Sequence, residues 1–156
     1  MLTLQSFRLL HPKANSFDIG TGGTPEISFQ EVADLLSRCT NTCSMFGRYH
    51  YGLDDTMRDK LVDAITDQVF REDQKLKRPM FRNKADWRAI TEMTVKTYRY
   101  AIWLTRAQRR NACDMRRWTR RHEEAFKNVS RVLNDLDYEL RSELREWNND
   151  QLEGYV

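Results

Sequence analysis

Between Lys84 and Asp150 the chain contains neither proline nor glycine. Proline removes a backbone donor and glycine adds chain entropy, so both interrupt helices. A segment this long with neither, in which apolar residues recur every three or four positions, is built for helix. Trp87, Ile90, Val95 (or Thr94), Tyr98, Ala101 and Ile102 make one such stripe. Trp118, His122, Ala125, Val129, Val132 and Leu133 make a second, continued by Leu136, Leu140, Leu144 and Trp147. The spacing predicts an all-α protein with a long C-terminal helix.

Start signals support the same pattern. Ser28 and Glu31 have the spacing of a capping box, ahead of a helix carrying Phe29, Val32, Leu35, Leu36, Cys39 and Cys43 and expected to end before Gly47. After a turn at residues 48–55, Asp54 or Asp55 caps a helix with Met57, Leu61, Val62, Ile65, Val69 and Phe70 on one face. Pro79 interrupts a basic connector, after which Asn83 or Asp86 opens the next helix. Thr105 and Gln108 form another capping box, with Leu104 as its staple. Asp114 is expected to cap the helix that follows. The first residues are expected to be irregular, with a short strand near Leu2–Leu10.

Charge divides the chain more sharply than hydropathy does. Residues 1–74 carry 7 Lys/Arg and 11 Asp/Glu, residues 75–131 carry 17 and 5, and residues 132–156 carry 2 and 7. The formal net charge of +3 therefore hides a centre of +12 between acidic ends. The organisation reads as an irregular arm over 1–27, an acidic helical pair over 28–74, a basic helix-turn-helix-like region over 75–134, and an acidic C-terminal helix and tail over 135–156.

The density peaks between Thr105 and Arg121, where seven arginines face one acid, Asp114. Crowded like charge is destabilising unless something outside the segment neutralises it, and a polyanion does so. Helix, short capped helix, turn and longer helix follow in the order of a helix-turn-helix. In that frame Arg116, Arg117, Arg120 and Arg121 read base edges, since a guanidinium fork matches guanine O6 and N7. Arg106, Arg109 and Arg110, with Lys77, Arg78, Arg82 and Lys84, contact phosphates, which position the protein. The expected partner is double-stranded DNA, with RNA as the other polyanion that arginine-rich helices bind. The stripe Leu133, Leu136, Leu140, Leu144 and Trp147 serves either the core or a homodimer seam.

Other chemistry has little support. No P-loop, dinucleotide fingerprint or His-Glu-x-x-His motif is present, and Thr21–Thr24 lacks a basic residue at the offset of a phosphate cradle. Cys39, Cys43 and His50 read as core thiols and a histidine rather than a metal site. Cys113 reads as a packing residue and His122 as packed or hydrogen-bonded, while Glu123 and Glu124 belong to a helix start or a solvated face. No enzyme activity, metal or cofactor is expected. No apolar run reaches the roughly 18 residues of a membrane span. The N-terminus has no signal-peptide pattern, and three cysteines without framework spacing suit a reducing cytosol.

Four segments carry a family resemblance: F-R-L-L-H-P-K-A-N-S-F (7–17), S-M-F-G-R-Y-H-Y-G-L-D-D-T-M-R-D-K-L-V-D-A-I (44–65), T-Y-R-Y-A-I-W (97–103) and W-T-R-R-H-E-E-A-F (118–126). In order and spacing they resemble the phage late-gene antitermination protein Q of the lambdoid type. The resemblance implies a small helical factor in the cytoplasm of a bacterial host. Such a factor binds DNA at a late promoter and engages RNA polymerase so that it passes pauses and terminators. Carried over, it makes the helix with Arg116, Arg117, Arg120 and Arg121 the DNA reader. It also offers the acidic ends as polymerase or self-contacts. The Cys-x-x-Cys zinc element of lambda's version is missing, since residues 103–115 offer only Cys113, so zinc is not expected. Two rival readings are a phage protein that occludes a host nucleoprotein and a small terminase-type packaging protein.

Overall fold

In a computed structural model, residues 1–11 and 28–154 are described, and every regular element among them is helical. The helices are α1 (Phe29–Ser37), α2 (Asn41–His50), α3 (Arg58–Gln74), α4 (Lys84–Arg99), α5 (Arg106–Ala112) and α6 (Arg120–Glu153), with short 3-10 helices at Leu4–Leu10 and Asp55–Met57. The chain forms two compact units, Met1–Arg58 with Leu136–Val156, and Asp59–Asp135. These follow packing, whereas the sequence segments follow charge. The T-G-G-T stretch and most of the N-terminal arm lie outside the described residues.

In the first unit, Leu4–Leu10 is a 3-10 helix rather than the expected strand. Thr3 and Ser6 satisfy one another's backbone, Thr3 N–H donating to Ser6 Oγ at 3.0 Å and Ser6 N–H to the Thr3 carbonyl at 3.0 Å. Phe7 and Leu10, three residues apart, then share one side and are buried. The helix expected from Ser28 to Gly47 is two helices. The Ser28–Glu31 capping box opens α1, and Thr40 Oγ1 then caps α2 by accepting from Cys43 N–H at 3.3 Å. Gly47 lies inside α2 instead of ending a helix. A β-carbon there would come 3.3 Å from a Leu140 methyl, so its bareness serves close packing. Gly52 is the glycine at the turn, where a β-carbon would meet the Arg48 carbonyl at 2.6 Å. Beside it, Tyr51 donates to Asp137 at 2.5 Å and accepts from Arg141 at 3.0 Å. Burial and the Asp137 carboxylate push this phenol up to about 12.

In the second unit, α3 buries Leu61, Val62, Ile65 and Val69, α4 buries Trp87, Ile90 and Val95, and α6 contributes Ala125, Val129 and Leu133. Each Val, Leu or Ile among them is worth about 1.5–3 kcal/mol of burial. The connector after α3 is folded back by one buried carboxylate. Asp73 accepts from Met80 N–H (2.7 Å), Phe81 N–H (3.2 Å) and Trp87 Nε1 (2.9 Å). Phe81 meets Trp87 edge to face at 5.5 Å.

Capping overturns one sequence expectation, and packing decides another that the sequence leaves open. α4 stops at Arg99, because Ala101 N–H bonds to the Tyr98 carbonyl and Ile102 N–H to the Thr97 carbonyl. This is a Schellman closure with Ala101 left-handed at φ 51°, and it turns Ala101 and Ile102 out of the stripe. The long-helix stripe leaves two roles open, and packing selects one: Leu133, Leu136, Leu140 and Trp147 are buried within the chain as core.

Candidate nucleic-acid interface

The arginine-rich segment lies within the second unit. Its short helix forms where the sequence places a capping box: Gln108 N–H donates to Thr105 Oγ1 at 3.3 Å and Thr105 N–H to Gln108 Oε1 at 2.9 Å. α5 ends in a second Schellman closure. Met115 N–H reaches the Arg110 carbonyl, Asp114 N–H reaches that of Asn111, and Asp114 is left-handed at φ 52°. Asp114 therefore terminates α5 and does not cap α6. α6 begins at Arg120, after an irregular stretch through Thr119, whose backbone N–H donates to His122 Nδ1 at 3.0 Å.

This boundary redistributes the predicted site residues. Arg120 and Arg121 occupy the first turn of α6, but Arg116 and Arg117 lie on the connector before it rather than on a recognition helix. All four are exposed, as are Arg106 and Arg110 on α5 and Lys77, Arg78 and Arg82 on the connector after α3. Lys84, expected to be a phosphate contact, forms an ion pair with Asp67. Among the described residues, no carboxylate lies within ion-pair distance of Arg110, Arg116, Arg117, Arg120 or Arg121. Arg120 and Arg121 also sit at the positive end of a 34-residue helix, where a cation is disfavoured and an anion is attracted.

Arg109 departs most from expectation. It is 3% exposed and is not available as a surface phosphate contact. Its Nη1 donates to both Glu123 oxygens, at 2.5 and 2.6 Å, and its Nε to the Leu104 carbonyl at 3.1 Å. Its guanidinium lies 4.2 Å from the Phe126 ring centre and 5.4 Å from that of Trp103. Glu123 also accepts from Trp118 Nε1 at 2.6 Å, and Arg106 Nε stands 3.8 Å away. Glu123 thus lies in the first turn of α6, as a helix-start acid, but it is paired rather than solvated. Burial would push its carboxyl up, but the Trp118 N–H and the Arg109 and Arg106 guanidinium groups together hold it below the usual carboxylate range. This knot joins α5, the connector and α6. Nothing in the local spacing marks it, because Arg109 and Glu123 are 14 residues apart and belong to different helices.

His122 completes the support of the connector. Its ring packs against Phe81 at 5.0 Å and Trp118 at 5.4 Å. Burial lowers its pKa, with Asp86 opposing. Cys113 donates to the Ala89 carbonyl at 3.6 Å, and burial together with Glu92 pushes its thiol up to about 11.

An exposed aromatic group beside the cations was not legible as a site. Tyr100, Ile102 and Trp103, on the turn between α4 and α5, are 63%, 53% and 79% exposed. Among the described residues no group of three or more His, Cys, Asp or Glu is arranged to hold a metal ion, and no helix is long and apolar enough to cross a membrane.

Compared with family models, with curated proteins and with solved structures, the chain matches none. The fold and surface define an all-helical protein whose second unit exposes Arg110, Arg116, Arg117, Arg120 and Arg121 with no ion-pair partner among the described residues.

Proposed function

We propose that this chain is a DNA-binding transcription regulator. The observation that carries the reading is the set of five arginines, 110, 116, 117, 120 and 121, exposed around the start of α6 with no carboxylate within ion-pair distance among the described residues. Arg106 and Arg110, with Lys77, Arg78 and Arg82, are placed in roles of phosphate contact, where charge matters more than geometry. Arg120 and Arg121 read base edges from the first turn of α6, and Arg116 and Arg117 reach the duplex from the connector. Arg109 and Lys84 have no part in contact: the first holds the surface in place and the second is paired. The resemblance to lambdoid Q proteins gives the regulator its specific role, antitermination, in which the DNA-bound protein is handed to host RNA polymerase.

The test is affinity for a duplex against salt. With about six phosphate contacts, affinity for a mixed-sequence duplex falls roughly a thousandfold between 50 and 200 mM salt. Replacing both Arg120 and Arg121 by Ala reduces that slope and weakens a selected specific site more than the mixed duplex. A chain with no duplex affinity at low salt is not a DNA-binding protein, and the reading fails.

A further inference from the structure

We infer that Trp103, with Tyr100 on the same turn, is a stacking platform for unpaired nucleobases, so that the protein engages a duplex adjoining an opened single strand. The inference rests on the DNA-binding reading and deepens it.

Trp103 is 79% exposed on a turn whose neighbouring residues Tyr100 and Ile102 are also exposed. Keeping an indole in water forfeits the burial energy that Trp87 gains in the same unit. The indole is nonetheless not a loose side chain on an unsupported loop. The Arg109 guanidinium lies 5.4 Å from its ring centre, and that guanidinium is fixed by Glu123 and the Leu104 carbonyl. Tyr100 has the Arg99 guanidinium 5.4 Å from its ring centre. The turn itself carries a left-handed alanine, Ala101, a conformation that costs an L-residue about 1–2 kcal/mol. Strain, exposure and cation support therefore coincide at one place.

The charge around the turn selects the occupant. Asp114 is the only acid between Glu92 and Glu123 in sequence, so the segment that carries the rings is strongly cationic and suits an aromatic ligand on an anionic backbone. A nucleic acid strand is such a ligand: phosphates meet arginines and bases stack on rings. A closed duplex keeps its base faces covered by their neighbours. Only unpaired bases can lie on an indole. Exposed arginines for the duplex and exposed rings for the strand fit a fork.

The experiment compares three fluorescent probes at fixed salt: a closed duplex, the same duplex with an unpaired thymidine tail, and oligothymidine alone. The chain binds the tailed duplex more tightly than the closed one, and single-strand binding quenches tryptophan emission. Trp103→Ala loses about tenfold of affinity for the tailed duplex and for oligothymidine, loses the quenching, and leaves the closed duplex unchanged. Trp103→Phe retains most of the affinity. Because the side chain is exposed, its variants keep the parent's helical circular dichroism. Equal affinity for tailed and closed duplexes, or an unchanged tailed-duplex affinity in Trp103→Ala, overturns the stacking platform while leaving duplex binding intact. If Trp103→Ala leaves every probe unaffected and instead abolishes binding to purified polymerase, the turn is a protein contact and the inference falls. Absence of binding to all three probes defeats the DNA reading itself.

Discussion

Glu123→Gln separates a surface arginine from a structural one. Arg109 directs one nitrogen to both Glu123 oxygens within 2.6 Å, and its side chain is only 4% exposed against 19% for Glu123. Breaking a buried pair leaves an uncompensated charge and costs about 3–5 kcal/mol. Glutamine keeps one acceptor and water reaches part of the site, so about 2–3 kcal/mol is expected, a 30- to 150-fold change in the unfolding equilibrium. At a slope of 1–3 kcal/mol per molar, the urea midpoint of the second unit moves down by about 0.7–3 M, followed by the emission of Trp87 and Trp118. Arg106→Ala is the control. Its guanidinium is 3.8 Å from the same carboxylate and 62% exposed, so its loss costs no more than about 0.5 kcal/mol. The double variant Glu123→Gln, Arg109→Met recovers part of the loss, because an apolar replacement removes the stranded charge. The pH dependence has a definite sign. The folded carboxyl titrates below its ordinary 4.5, so its contribution is complete above that pH and disappears as pH falls through the lower folded value. Glu123→Gln therefore flattens the acid limb of the stability profile. Equal costs for Glu123→Gln and Arg106→Ala would refute the buried pair. So would an Arg109→Met variant that keeps its urea midpoint but loses duplex affinity as an exposed arginine would.

Asp73→Asn removes at least one of three accepted hydrogen bonds at a buried site and lowers the stability of the second unit by about 1–3 kcal/mol, measured by urea unfolding. Ala101→Gly relieves a left-handed alanine at φ 51° and raises stability by up to about 1 kcal/mol despite the added chain entropy of glycine, which a thermal melt detects.

Capping and periodicity were readable along the chain because they are local. Ser28 with Glu31, and Thr105 with Gln108, form the reciprocal bonds their spacing announces, since both partners lie within one turn. The stripe from Ala125 to Trp147 packs inward because helical geometry repeats without reference to the rest of the fold. The failures share the opposite property. Gly47 resembles a helix terminator until Leu140, far away in sequence, fills the space beside it. Asp114 resembles an N-cap, but the closing bonds of α5 claim it first.

Among the arginines the division is sharper still. Their crowding is a matter of composition, and so is the electrostatic demand for a counter-ion. Which of them meets that demand inside the molecule depends on where Glu123 arrives. Once α6 starts at Arg120, Glu123 meets Arg109, and Arg110, Arg116, Arg117, Arg120 and Arg121 have no ion-pair partner among the described residues. Helix type and capping follow from neighbours a few bonds apart, whereas pairing and exposure follow from neighbours through space, and those exist only in the packed chain.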